Sequence, residues 1–335
     1  MAGDADPREA LLDLSTGYWR SQAIYVAAKL GVADLVHEGP KSTEELARAT
    51  QTHAPSLYRL LRALASVGVF AEDPQGLFGL TPIAECLRSV PGSQRSLMIM
   101  MGEEHYRAWG ELLYSVQTGR IAFDHVHGKP VFQFLSEHPD KAKIFDEAMV
   151  GVHGAETQAM LDAYDFSSIG TLVDIGGGNG SVLSSVLRKH PSLKGILYDL
   201  PGVAGRAQEQ LKQAGLADRC QVIGGNFFER VPAGGDAYVM RHIIHDWNDA
   251  QCRQILGNCR QVMRPEARLL IVESVIPPGN EPFMGKFLDL VMLVIPGGKE
   301  RTEPEYRALF QSAGFRLTRI VPTAREVSII EGTIA

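Results

Sequence analysis

The segment DAYVMRHIIHDWNDAQ sets two histidines, His242 and His245, three residues apart in an apolar run that reads as a strand. Histidine is the side chain whose ordinary pKa lies nearest neutrality, so at the end of such a strand it can take a proton from a hydroxyl group. An odd separation on a strand sends the two rings to opposite faces, which predicts that they do not share a metal and that only one serves a given crevice. His245, nearer the carboxyl end where open α/β sheets bind their ligands, is the candidate base. Asn248 and Gln251 have the spacing of a capping box that starts a helix directly behind it, and on spacing alone His242 reads as structural. Glu273 ends the next strand-like run, LLIVESVIP; from a neighbouring strand it would hold His245 in one tautomer and stabilise the imidazolium. Glu300, in PGGKERT, precedes a helix that Thr302 and Glu305 cap, and by itself reads as a solvated loop charge.

A second constellation binds rather than reacts. In LVDIGGGNG an apolar strand ends in Asp174 and breaks into a turn where Gly176, Gly178 and Gly180 leave the backbone free of Cβ atoms. The dinucleotide fingerprint wants glycine or alanine at the next position, which here is Ser181. Asp174 weighs more, because a fixed negative charge would repel a pyrophosphate cradled by that turn and attract an ammonium group instead. S-adenosyl-L-methionine has no phosphate and carries an amino group and a sulfonium. Asp199, ending the next strand in GILYDLPGV, is spaced to accept hydrogen bonds from two ribose hydroxyls. Asn226 and Phe227, in GGNFFE, are placed for the edge and face of an adenine.

Elements to hold these residues are legible in the apolar periods. Residues 8–160 carry helical spacing almost throughout. From Thr171 the runs TLVDI, KGILYDL, CQVIGG, DAYVMRHII and RLLIVES alternate with helical stretches, the pattern of stacked βαβ units and a parallel sheet. The tail FRLTRIVPTAREVSIIEGTI holds two strand-like runs broken at Pro322 to Ala324, expected as a hairpin at one sheet edge. FDHVHGKPVF groups Asp124, His125 and His127; as an extended loop it would point both histidines one way, but no third and fourth ligand stands at useful spacing and no metal is expected.

Charge excludes other classes. The net charge of −6 over 335 residues, with no basic block, argues against nucleic acid as a partner. The block from Ser42 to Arg88 has the outline of a winged helix, yet it carries Glu44, Glu45, Glu72, Asp73 and Glu85 against Arg48, Arg59, Arg62 and Arg88, which suits a structural or dimer-forming module. FLDLVMLVI is short and interrupted by Asp289, so no membrane span is expected. The start, MAGDADPREA, shows no leader pattern, and Cys86, Cys220, Cys252 and Cys259 lack CxxC spacing; a cytoplasmic setting is expected. Cys252 and Cys259, seven apart on one helix, read as core thiols.

In chain order, LVDIGGGNG, ILYDLPGV, GGNFFERVPAGGDAYVMRHIIHDWND, LLIVESVIP and PGGKERTEPEYRALFQSAGF resemble the small-molecule O-methyltransferases of the caffeic acid and acetylserotonin type, with their bacterial antibiotic-tailoring relatives. The resemblance spans nearly the whole chain. It implies an α/β fold: a Rossmann-like class I methyltransferase sheet behind an N-terminal all-helical, winged-helix-like dimerisation domain. The dimerisation domain would cover residues 1–100 and the methyltransferase domain 101–335, with 101–165 a helical bridge lining the acceptor pocket.

By the same resemblance His245 matches the general base, and Glu273 and Glu300 match its flanking acids. Asp174, Gly176, Gly178, Gly180, Asp199, Leu200, Asn226, Phe227 and Arg241 match the cofactor site; Asn226 departs from the aspartate of many relatives. Phe145, Met149, His242, Asp246 and Met292 match the acceptor side, and Ile295 suggests an apolar pocket. The implied activity is transfer of a methyl group from S-adenosyl-L-methionine to a hydroxyl of a small aromatic molecule, leaving S-adenosyl-L-homocysteine, by a homodimer whose Tyr18 and Trp19 reach the partner's site. Non-methylating tailoring chemistry on the same scaffold, a NAD-linked dehydrogenase and a winged-helix regulator stand as alternatives.

Overall fold

The computed structural model describes residues 6–335; the first five residues of the opening stretch read for a leader lie outside them. The chain forms two compact units, one from the part up to Arg107 together with Phe132–Val152, the other from Ala108–Val131 and His153–Ala335. Among the described residues no helix is long and apolar enough to cross a membrane.

In the first unit, the helices Thr43–Thr50 and Ala54–Ser66 lead into a hairpin of β1 (Phe70–Glu72) and β2 (Phe78–Leu80), the winged-helix outline expected from the sequence. Ser42 and Glu45 form the capping box that fixes the first of these helices. Leu46, Leu57, Leu61, Phe70 and Phe78 bury its core together with Ala27 and Ala28 of the helix Gly17–Leu30. Leu11, Leu12, Leu14, Tyr18 and Trp19 on the first two helices stay exposed, an apolar surface of the kind that marks association.

In the second unit, β3 (Thr171–Ile175), β4 (Lys194–Asp199), β5 (Cys220–Gly224), β6 (Ala237–Arg241) and β7 (Arg268–Ile276) run parallel, in the spatial order β5-β4-β3-β6-β7. The short β8 (Arg301–Thr302) pairs with β7. The tail forms the expected hairpin of β9 (Phe315–Pro322) and β10 (Val327–Ile334), antiparallel beyond β7 with β9 at the edge.

The strands are apolar on both faces because both are covered. Along β6, Ala237 and Val239 join one core with Val182, Leu183, Val186 and Leu187 of the helix Ser181–Lys189. Tyr238 and Met240 join the opposite core with Cys252, Ile255 and Cys259 of the helix Asp249–Val262. The period of two thus sorts one strand between two layers of helices. Parallel pairing brings the carboxyl ends of β3, β4, β6 and β7 to one edge of the sheet, where Asp174, Asp199, Arg241 and Glu273 stand.

Candidate active site

β6 stops at Arg241, before either histidine. His242 adopts φ +53°, a left-handed conformation rare for a residue with a Cβ, and turns the chain out of the sheet. Ile244–Asp246 then make one 3₁₀ turn, which the Asn248–Gln251 capping box follows as expected. The two histidine rings therefore do not face opposite ways; their centroids lie 5.0 Å apart. The parity rule fails here because it holds only while the strand continues.

The two acids divide the work differently from the expectation. Glu300, far from being solvated, is buried, and its Oε1 lies 2.5 Å from His245 Nδ1. Glu273 does not touch the ring: its Oε1 accepts the backbone N–H groups of Ile243 and His245 at 3.2 and 3.1 Å, and its Oε2 accepts the Tyr306 hydroxyl at 2.7 Å. Glu273 fixes the turn, and Glu300 fixes the ring. The Glu300 backbone N–H donates to Asp289 Oδ1 at 2.9 Å, so the charge that interrupts FLDLVMLVI anchors the loop.

Sequence reasoning missed two further supports. Arg301, fully buried, donates to the carbonyls of Ile244 and Trp247 and pairs with Asp249 at 2.9 Å. Gly298 lets the loop lie on the histidine turn: the Lys299 N–H donates to His245 O at 2.9 Å, and a Cβ at Gly298 would fall 1.9 Å from that oxygen. The doublet PGG was its only visible sign.

With Nδ1 engaged by Glu300, the other ring nitrogen of His245, Nε2, has Asp246 Oδ1 3.6 Å from it. Burial opposes charge on this ring, but the carboxylates of Asp246, Glu300 and Glu273 together outweigh it and push the imidazole up to about 10. Burial likewise raises Asp246 to about 7.

On the other side of the crevice, Gly176, Gly178 and Gly180 all take positive φ. A Cβ at Gly176 would lie 2.4 Å from the Ile243 side chain and 3.8 Å from the Phe227 ring. Gly177, which the sequence reading passed over, approaches Asp174 so closely that a Cβ there would meet its carboxyl carbon at 2.9 Å. Asp174 Oδ2 is buried without a hydrogen-bond partner, and burial, reinforced by repulsion from Asp199, pushes this carboxyl up to about 7. Such an orphaned acid beside a Cβ-free turn suits a ligand bearing positive charge and fits the cationic methionine end of S-adenosyl-L-methionine.

The remaining cofactor candidates occupy the same edge. Asp199 accepts from the N–H groups of Gly178 and Leu200 at 2.8 and 2.7 Å, which orients its carboxylate. Leu200 is exposed beside it. Asn226 turns its Oδ1 to the Phe228 N–H at 3.0 Å, closing the loop that sets Phe227 against Trp247. Arg241 donates to Thr157 Oγ1 at 2.6 Å and to the His153 carbonyl, bracing the carboxyl end of β6.

Of the acceptor candidates, Met292 and Ile295 are buried at the end of the helix Gly285–Val294, while Phe145 and Met149 belong to the first unit, Phe145 packing on Phe132. His242 Nε2 lies 2.8 Å from Glu156 Oε2, and its ring stacks on His153 at 4.2 Å. Burial holds both imidazoles well below the ordinary histidine value, so both are neutral. The stretch holding His125 and His127 is a helix, Ala122–His127, rather than an extended loop; His125 stacks on Tyr114, and the His127 ring packs tilted on Phe123.

Residues 109–316 match the O-methyltransferase domain family, and residues 12–89 match the O-methyltransferase dimerisation domain. The chain belongs to the O-methyltransferase family. It is an S-adenosyl-L-methionine-dependent O-methyltransferase on a class I methyltransferase fold, with the family's dimerisation domain at its N-terminal end. It is 50% identical over 331 residues to the phenazine O-methyltransferase of Lysobacter antibioticus, covering 98% of this chain and 97% of that one. The crystal structure of LaPhzM superposes with a TM-score of 0.96 at 49% identity, over 99% of this chain and 100% of that one. The neocarzinostatin-pathway O-methyltransferase NcsB1, solved with S-adenosylmethionine and 2-hydroxy-5-methyl naphthoic acid, superposes at 0.87 with 35% identity over all of both chains.

The contact at Gly298 yields a direct expectation. Gly298→Ala must push the His245 turn away from Glu300, so turnover should fall at least about a hundredfold while cofactor affinity measured by calorimetry stays within about twofold. Full turnover in Gly298→Ala would show that this packing does not position His245 for turnover.

Proposed function

We propose that this O-methyltransferase methylates a phenolic hydroxyl of a small aromatic acceptor with His245 as general base, as a homodimer in the cytoplasm. The observation that carries the reading is the 2.5 Å contact from His245 Nδ1 to buried Glu300, which supports a base acting through the other ring nitrogen. The phenazine activity named for one relative and the hydroxynaphthoic acid bound by another are both aromatic, which supports the acceptor class.

S-adenosyl-L-methionine, when bound, supplies an electrophilic methyl group on a positively charged sulfur. Asp174 and the glycine turn would hold its methionine end, Asp199 its ribose, and Leu200 and Phe227 the faces of its adenine, with Asn226 shaping that loop and Arg241 bracing the strand end between. His245 Nε2 takes the acceptor's proton as the oxygen becomes a nucleophile. A phenol titrates near 10, and an ordinary histidine near 6.5 would be a weak base for it. The carboxylates around His245 close that gap, since an imidazole near 10 receives a phenolic proton almost on the level. Glu300 neutralises the imidazolium, and Asp246 is placed to pass the proton on. Met292 and Ile295 are assigned to an apolar acceptor wall that excludes water.

Two outcomes follow from these charges. His245→Gln should keep cofactor binding and lose about 10²–10⁴-fold in turnover. In the native chain the imidazolium must shed its proton before each cycle, so turnover at saturation should rise with pH from 7 toward 10. A flat profile over that range, or full turnover in His245→Gln, would remove the base assignment. Asp174, near 7 when free, must ionise to hold a cation; S-adenosyl-L-methionine affinity should therefore weaken as pH falls below about 7, up to tenfold per unit, and Asp174→Asn should abolish that slope. Calorimetry between pH 5.5 and 8 without acceptor checks this, and equal slopes in the two proteins would contradict it.

A further inference from the structure

The turn that carries Phe227 is gripped from one side by a helix. Where it begins, the N–H groups of Glu229 and Arg230 donate to Asn226 O at 2.9 and 3.1 Å, which closes the turn on itself. The next two carbonyls meet side chains instead: Asn258 Nδ2 donates to Phe227 O at 2.9 Å, and Gln254 Nε2 donates to Phe228 O at 2.8 Å. Two amides thus hold consecutive carbonyls.

Both amides come from the helix Asp249–Val262, where a separation of four residues puts them one turn apart on one face. Another face is taken by Cys252, Ile255, Leu256 and Cys259, all buried in the core. Asparagine is a poor residue for a helix interior, because its amide competes for nearby backbone groups, so its place at 258 calls for a contact outside the helix. The Phe227 carbonyl is that contact.

What the clamp fixes is a ring. Phe227 lies 6.0 Å from Trp247 in an edge contact and 5.0 Å from Phe228, which itself meets Trp247 edge to face at 4.8 Å. Near the start of the same helix, Cys252 Sγ donates to the carbonyls of Ile244 and Trp247 at 3.2 and 3.3 Å. One rigid element therefore sets both the Phe227 loop and the histidine turn.

We propose that Gln254 and Asn258 are positioning residues of the cofactor site: by holding the carbonyls of Phe227 and Phe228 they fix the Phe227 ring for the adenine of S-adenosyl-L-methionine and so set cofactor affinity. This rests on the reading that Phe227 faces the adenine. Without the clamp the loop must be ordered at the moment of binding, and affinity falls by that ordering entropy. Turnover of the bound cofactor is untouched, because Glu273, Arg301 and Gly298 hold the His245 turn by other contacts.

The test measures, by calorimetry, binding of S-adenosyl-L-homocysteine and of 5′-methylthioadenosine, which lacks the amino-acid end, to the native chain and to the double variant Gln254→Leu/Asn258→Leu. Asn258→Asp, which keeps the shape of the side chain and loses the donor, serves as a second variant. Both ligands should weaken by the same factor, about tenfold or more in the double variant and about threefold or more in Asn258→Asp. At saturating cofactor and acceptor kcat should stay within about twofold with its pH profile unchanged, so that the loss appears in KM for S-adenosyl-L-methionine. Affinities that match the native chain in both variants, with or without a lowered melting temperature, would make the amides merely structural and overturn the proposal. A loss for S-adenosyl-L-homocysteine that 5′-methylthioadenosine does not share overturns it too, since the clamp acts on the nucleoside end. Failure of the underlying reading has a different signature: Phe227→Ala would bind both ligands as the native chain does. Weakened binding in Phe227→Ala beside an unaffected double variant strikes the clamp alone.

Discussion

A buried charge pair organises this site. Glu300 meets His245 at 2.5 Å where both side chains are almost wholly out of water. A carboxylate placed there alone would be strongly unfavourable, so it requires the imidazole, and the imidazole in turn is kept basic by the carboxylate. The surroundings serve this pair. Gly298 lets the two loops touch, Arg301 ties their backbones together, Asp289 holds Glu300 from behind, and Glu273 uses its own charge to gather the N–H groups of the histidine turn. Because the ring is locked at Nδ1, the proposed base is defined by one nitrogen, Nε2, rather than by a residue type.

The opposite side of the crevice answers with an unpaired acid. Asp174 has a buried oxygen without a partner, next to a turn where added side-chain atoms would collide with it. Glu300 Oε2 and His242 Nδ1 are likewise buried and unpartnered. Three unsatisfied polar atoms around the carboxyl ends of β3, β6 and β7 are costly in a chain by itself.

The sequence was readable where local chemistry is decisive. The strand, glycine turn and Asp174 announce themselves because only glycine turns so sharply and because an acid at that place selects against phosphate. The capping boxes at Asn248 and Thr302 follow from spacing, and the core of the parallel sheet from apolar runs. Elsewhere local rules misled. Glu300 reads as a loop charge since nothing near it in sequence reports that Gly298 seats the loop on a distant turn. Parity misplaces the histidine faces because one residue in a left-handed conformation, His242, ends the strand before the count is complete. Arg301 and Tyr306 act through contacts with residues far from them in sequence, which single-chain spacing does not reveal.

The protonation state of His245 tests the central claim most directly. In ¹⁵N-labelled, ligand-free protein, the imidazole signal missing from His245→Gln should show both ring nitrogens protonated at pH 7 and lose one proton only well above pH 8, with a strongly deshielded Nδ1 proton shared with Glu300. A ring at position 245 that instead titrates near 6.5, with no such proton, would contradict the account.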